Sequence, residues 1–242
     1  MDAKSEKLTF WQKLGYGMGD FYGGGSGTLI AFFYLVFLTD VVRISPGLAG
    51  IVALISRFYD AITDPFEGVI SDRTRTKLGR RRPYLLAGIP LVFISFFALF
   101  YPVTYESETA RFVYVIASYL FYSTIISIVL LNYSALQAEL TLDYNERTSL
   151  ATFRIFFSTV SSLLCAVLPL EIVKAFPDVR TGWIVTAVVF GLLFALPFIG
   201  TVVITRERKE FQKPPAPFRW KQVIEPFQVR TFVYVLIMYF TA

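Results

Sequence analysis

Arg57, Asp60, Asp64 and Glu67 stand at helical spacing inside an apolar stretch that runs from Ile44 to Ile70. At about 100° per residue they fall within an arc of roughly 80°, so one helix face carries all four. An ionisable side chain at membrane depth costs a few kcal/mol or more, and such a face must meet a bundle interior or a water-filled cavity. Asp60 and Asp64, one turn apart, repel when both ionise. A proton on one of them, or a cation between them, removes the repulsion. That is the chemistry of a coupling-ion site for Na⁺ or H⁺, with the Thr63 hydroxyl as a further hard oxygen ligand. Arg57 and Glu67 are the candidate charge partners; one arginine cannot neutralise three acids. Pro65 frees a backbone carbonyl near Ala61, another oxygen that a cation accepts.

Three other polar groups interrupt apolar sequence. Asp20 lies among Gly15, Gly17, Gly19, Gly23, Gly24, Gly25 and Gly27, a pattern that suits close helix packing, and is either a solute acceptor or an interfacial acid. Asn132, Tyr133, Ser134 and Gln137 combine hydrogen-bonding side chains with an aromatic ring. They suit a polyhydroxylated ligand that stacks on the ring, or else bond helix to helix. Arg154 is either a snorkelling arginine or a cavity-facing counter-charge.

The elements that must position these residues are membrane spans. Of 242 residues, 55% are hydrophobic and only 17% charged, and mean hydropathy is +0.57, which excludes an ordinary soluble domain. There is no histidine, so imidazole bases, Ser-His-Asp triads and His-ligated metals are excluded; Cys165, the only cysteine, excludes an intrachain disulfide. A span needs ~20 apolar residues. Six runs qualify: Phe21 to Thr39 (entered from about Leu14), Ile44 to Ile70, Pro83 to Tyr105, Phe112 to Ala138, Ile155 to Leu170 and Thr181 to Thr205. A seventh run, 231–242, has twelve residues, about 18 Å of helix, too few to cross.

Connections 1–13, 71–83, 139–149 and 205–230 hold seventeen Lys and Arg, whereas the alternate loops hold four. This asymmetry predicts a cytoplasmic N-terminus in an inner membrane. The net charge of +5 then reflects topology, with no nucleic-acid partner implied. The domain reading is a six-span bundle over 1–204, a charged linker over 205–230 with Pro214, Pro215 and Pro217, and the start of a seventh span over 231–242.

The stretch Arg57 to Leu86, RFYDAITDPFEGVISDRTRTKLGRRRPYLL, resembles the second span and following loop of the glycoside-pentoside-hexuronide cation symporters, the melibiose-carrier-like branch of the major facilitator superfamily. KLGYGMGD at Lys13 to Asp20, TDVV at Thr39 to Val42, and NYSALQAELTLDYNERTSLATFR at Asn132 to Arg154 resemble further family segments in order. The resemblance implies an all-α membrane fold of two six-helix halves. This chain would be the first half, the linker and a truncated seventh helix. It implies that Asp60 and Asp64 bind Na⁺, Li⁺ or H⁺, and that Tyr133 and Arg154 contact solute. Gly68, Asp72, Arg73, Gly79, Arg80, Arg81 and Arg82 resemble the superfamily loop that latches the cytoplasmic gate.

The expected function is cation-coupled symport of a glycoside or related polar solute by alternating access, with no cofactor beyond the coupling ion. Two alternatives stay open: a carrier of lysolipid-type amphiphiles, and a membrane-embedded phosphotransferase with a divalent metal on Asp60 and Asp64. Expected partners are the solute, the lipid bilayer and a second half, from the same reading frame, another copy or a separate chain. Active transport is not expected from one half alone.

Overall fold

The computed structural model describes residues 7–205 together with Tyr234 and Met238. The chain divides into two compact units, Met1–Gln212 and Lys213–Ala242. Of the second, Tyr234 and Met238 are helical; otherwise the seventh run, and the linker from residue 206 onward with Phe218, Trp220 and Phe227, lie outside the described residues.

In the first unit the apolar runs become helices in the expected order. A capping box starts α1 (Phe10–Gly17), in which Gln12 N–H bonds Thr9 Oγ1 and Thr9 N–H bonds Gln12 Oε1. After a break at Met18 and Gly19 comes α2 (Asp20–Leu29), then two π-helical stretches, Ile30–Tyr34 and Phe37–Val42. Ser161 and Ser162 of α6 donate to the carbonyls of Phe21 and Gly24 within α2, which fastens that helix to α6.

The charged second span is α3 (Pro46–Arg73), continuous through Pro65. There follow α4 (Arg82–Leu99), α5 (Glu108–Leu140) and α6 (Tyr144–Lys174), the last capped by Asp143, which accepts from Glu146 N–H. The sixth run is α7 (Val179–Ala195), capped by Asp178, then α8 (Pro197–Ile204) after a joint at Leu196 and Pro197. Thirty-three residues make α5 about 50 Å long, well over the ~30 Å hydrocarbon core. Among the described residues α4, α5, α6 and the Val179–Ile204 run are long and apolar enough to cross a membrane. The first run misses that class through its breaks and α3 through its charges.

Packing follows from where side chains are small. A Cβ on Gly17 would stand 2.8 Å from Phe153 Cβ, and one on Gly24 2.6 Å from the Ser158 carbonyl oxygen, so α1 and α2 lie against α6 almost backbone to backbone. On their other side a buried aromatic core joins Tyr22, Phe96, Phe100, Phe190, Phe194 and Phe198, with Phe100 stacked on Trp183 at 5.7 Å. α5 packs on both α3 and α4, and α4 also on α7.

Candidate functional site

The groove between α3 and α5 holds the paired acids. Ser123 Oγ donates to Asp60 Oδ1 at 2.5 Å and Ser127 Oγ to Asp64 Oδ1 at 2.6 Å, while the Tyr59 and Thr124 hydroxyls bond at 2.7 Å. Both acid–serine pairs are 63 positions apart, so the helices run parallel and in register. Asp60, Asp64, Ser123, Ser127 and Ser134 line a cavity of about 500 Å³ with Ile126, Leu130 and Leu131. Each carboxylate thus has one donor and keeps acceptor positions open.

The other residues proposed around this pair are placed differently. Thr63 does not line the cavity; its hydroxyl donates to the Tyr59 carbonyl of its own helix. Arg57 is exposed and forms no ion pair among the described residues. Glu67 is buried, and neither carboxyl oxygen has a hydrogen-bond partner. The charge of the pair is therefore not compensated by Arg57.

A second constellation gathers residues more than a hundred positions apart. Arg154 of α6 donates to Asp20 of α2 at 3.3 and 3.4 Å and to Gln137 of α5 at 2.5 Å, and its guanidinium lies 4.8 Å from the centre of the Tyr133 ring. Tyr133 stacks on Tyr16 at 4.6 Å, and each hydroxyl donates to the other residue's carbonyl at 2.7 Å. Tyr133 is fully buried, with Tyr16 on its ring and Arg154 over it, so the ring backs the polar groups of Asp20, Gln137 and Arg154 rather than offering a face for a ligand to stack on.

Asn132 is not part of this set. One residue before Tyr133 it points 100° away, and its Oδ1 accepts from Arg81 Nη1 at 3.4 Å, in a third cluster at the basic end of the bundle. There the buried Arg81 also donates to Ser71 (2.6 Å), Asp72 (2.5 Å) and Glu139 (3.3 Å), and Arg80 donates to Glu139 at 2.7 Å. Arg82 reaches the Val202 carbonyl of α8 at 2.6 Å. Gly79 has φ 108°, a conformation that glycine adopts without strain, and closes a tight turn with Thr76. Gly68 lies open beside Leu131, and Arg73 is exposed at the C-terminus of α3.

At the same end Glu146 takes Lys13 Nζ at 2.9 Å and Leu8 N–H at 3.0 Å, tying α1 to α6. The hydrogen bond from Lys13, aided by that from Leu8, holds the Glu146 carboxyl below its ordinary value of 4.5.

Three participants were not singled out as site residues from sequence: Ser123, Ser127 and, for the basic cluster, Glu139. A signal existed for each. Ser123 and Ser127 repeat the four-residue spacing of Asp60 and Asp64, and Glu139 lies two turns beyond Asn132 on the same face.

The chain is 40% identical over 72% of its length to an uncharacterized symporter of Synechocystis, of which it covers 33%. It is 32% identical over 86% to a putative glycoside/cation symporter of Escherichia coli, covering 46%. It is 28% identical over 66% to the sodium-dependent lysophosphatidylcholine symporter 1 of mouse, covering 31%. The chain thus spans a third to a half of these relatives. Residues 15–242 match the family described as MFS/sugar transport protein. With its apolar helices, the chain is an integral, multi-pass membrane protein. It belongs to the MFS/sugar transport protein family, of the melibiose-carrier-like kind.

Proposed function

We propose that this chain is the N-terminal bundle of a cation-coupled symporter that moves a glycoside or related polar solute by alternating access. The observation that carries the reading is the α3–α5 groove. Two carboxylates one turn apart are each held by a single serine and, among the described residues, have no ion-pair partner. A cation at that place, Na⁺ or H⁺, supplies the missing charge. Asp20, Gln137 and Arg154, with the buried Tyr133 behind them, are the proposed solute groups. In this reading the basic end faces the cytoplasm and its Arg81 cluster braces the gate.

A charged groove does not face hydrocarbon, so a second bundle, as in the longer relatives, is expected to close it. The test is uptake of a glycoside panel into vesicles under an imposed Na⁺ or H⁺ gradient, with the protein in its complete transporting form. Asp60→Asn and Asp64→Asn are expected to abolish uphill uptake. Unchanged cation dependence in either variant overturns the site.

The likeness to the mouse lysophosphatidylcholine symporter favours one second reading, an amphiphilic solute, which the apolar Ile126, Leu130 and Leu131 beside the acids would suit. Competition by lysophosphatidylcholine, with no competition by any glycoside, would select it.

A further inference from the structure

Asp20 and Arg154 form a closed charge pair inside the bundle. Arg154 Nε and Nη2 donate to Asp20 Oδ2 and Oδ1 at 3.4 and 3.3 Å, Nη1 donates to Gln137 Oε1 at 2.5 Å, and the Tyr133 ring covers one face of the guanidinium. The two charged side chains are only 21% and 13% exposed. Room for the carboxylate is built into α2. A Cβ on Gly23 would stand 2.7 Å from Asp20 Oδ1, so any other residue there would push the carboxylate out of its place beside Arg154.

The pair is balanced in charge and not saturated in hydrogen bonds. A guanidinium offers five N–H donors and a carboxylate about four lone-pair sites. Three of those donors are engaged, so Arg154 keeps two, Asp20 keeps an acceptor site on each oxygen, and Gln137 keeps its amide donors. Contacts of 3.3 and 3.4 Å are also long beside the ~2.7–2.9 Å of a tight bond between ionised groups. Neighbouring hydroxyls of a solute can accept from Arg154 and donate to Asp20 while the two charges stay paired. An anionic solute meets a different site, because its charge would lie beside the Asp20 carboxylate. Among the described residues no second cation answers it: Lys13 is held by Glu146, and Arg147 donates to the Thr141 and Ala138 carbonyls. The Tyr16 and Tyr133 protons are given to each other's carbonyls. Like charges set side by side reject a partner more strongly than a lost hydrogen bond does.

We infer that Asp20 is a specificity-determining residue that restricts the solute to molecules without net charge: a neutral glycoside, or a zwitterion whose anionic group takes Arg154 and whose cationic group takes Asp20. Sugar acids and phosphate monoesters are turned away, because the one cation that would receive them is already neutralised. This rests on the reading of Asp20, Gln137 and Arg154 as the solute groups, and it holds for a glycoside and for an amphiphile alike.

The experiment is cation-driven uptake at neutral pH into vesicles holding the complete transporting form, with probes matched in shape and differing in charge. Each uronate of a glycoside panel is compared with its methyl ester, and lysophosphatidic acid with lysophosphatidylcholine. The parent is expected to take the uncharged or zwitterionic member about tenfold better or more. Asp20→Asn keeps the shape, removes the charge and leaves Arg154 unneutralised, so it should move that ratio about tenfold towards the anion. Thermal unfolding checks that the variant is folded; the ratio in the parent needs no variant and stands by itself. A parent that takes the anion as well as its neutral counterpart, or a folded Asp20→Asn with the parent's ratio, overturns the inference. If folded Asp20→Asn and Arg154→Gln both take up every probe as the parent does, these are not solute groups and the inference goes with that reading. If Arg154→Gln abolishes uptake while the parent takes both members of each pair equally, only the inference is lost.

Discussion

The α3–α5 groove and the basic-end cluster both draw acids from α3 or α5, yet they balance charge in opposite ways. At the basic end, Asp72 and Glu139 share the guanidinium groups of Arg80 and Arg81, and Asn132 and Ser71 supply further acceptors to Arg81. In the groove, Asp60 and Asp64 have only serine donors. A charge that the protein compensates itself braces the structure; one left for a diffusible ion to compensate makes a binding site. The two regions differ because Arg57 of α3 is exposed and pairs with neither aspartate, whereas Arg81, the residue just before α4, is buried among its acceptors.

The largest expected effect breaks the compensated side. Arg81→Ala removes the buried guanidinium that Ser71, Asp72, Asn132 and Glu139 share, while Glu139 keeps Arg80 at 2.7 Å, and should lower stability by about 3 kcal/mol. Thermal unfolding in detergent reads this, and a loss below about 1 kcal/mol would remove the distinction drawn between the two regions.

Asp64→Asn sharpens the comparison from the other side. Removing an uncompensated charge should leave stability within about 1 kcal/mol of the parent, or raise it, while cation dependence is lost. A collapse in stability as large as that of Arg81→Ala would make the groove a structural element like the other.

The smallest effect concerns Lys13 and Glu146, a compensated pair at the rim. With the carboxyl held below its ordinary 4.5, the pair contributes stability that is present above that value and lost as pH falls through the lower folded value. A single pair at the rim, its side chains partly covered, is worth ~1 kcal/mol, so Glu146→Gln should flatten a shallow acid limb of the unfolding profile, and no more. A steep loss at neutral pH would contradict it.

Much of the groove was legible in sequence, because a helix repeats every 3.6 residues and polar residues in apolar surroundings stand out: Asp60 and Asp64 share a face as their spacing requires. The partners of that face were not. Arg57 has the right angle and lies too near the surface to pair, and the Thr63 hydroxyl is turned back onto Tyr59. Asn132 and Tyr133 are neighbours in sequence and part company in space, one to Arg81 and the other to Arg154. The break at Met18 and Gly19 and the π-helical turns beyond it also escaped a periodicity reading.

By itself the sequence determined the class, the order of the helices and the helix on which coupling is proposed to live. Those depend on hydrophobic run length, charge placement and intrahelical angle, which are local quantities. Tertiary structure alone decided that Asp20 meets Arg154 across 134 positions, that Ser123 and Ser127 cap the paired acids, and that Glu67 is left without a hydroxyl of its own. Those depend on how two helices slide and rotate against each other, which small residues and buried rings fix and no single helix records.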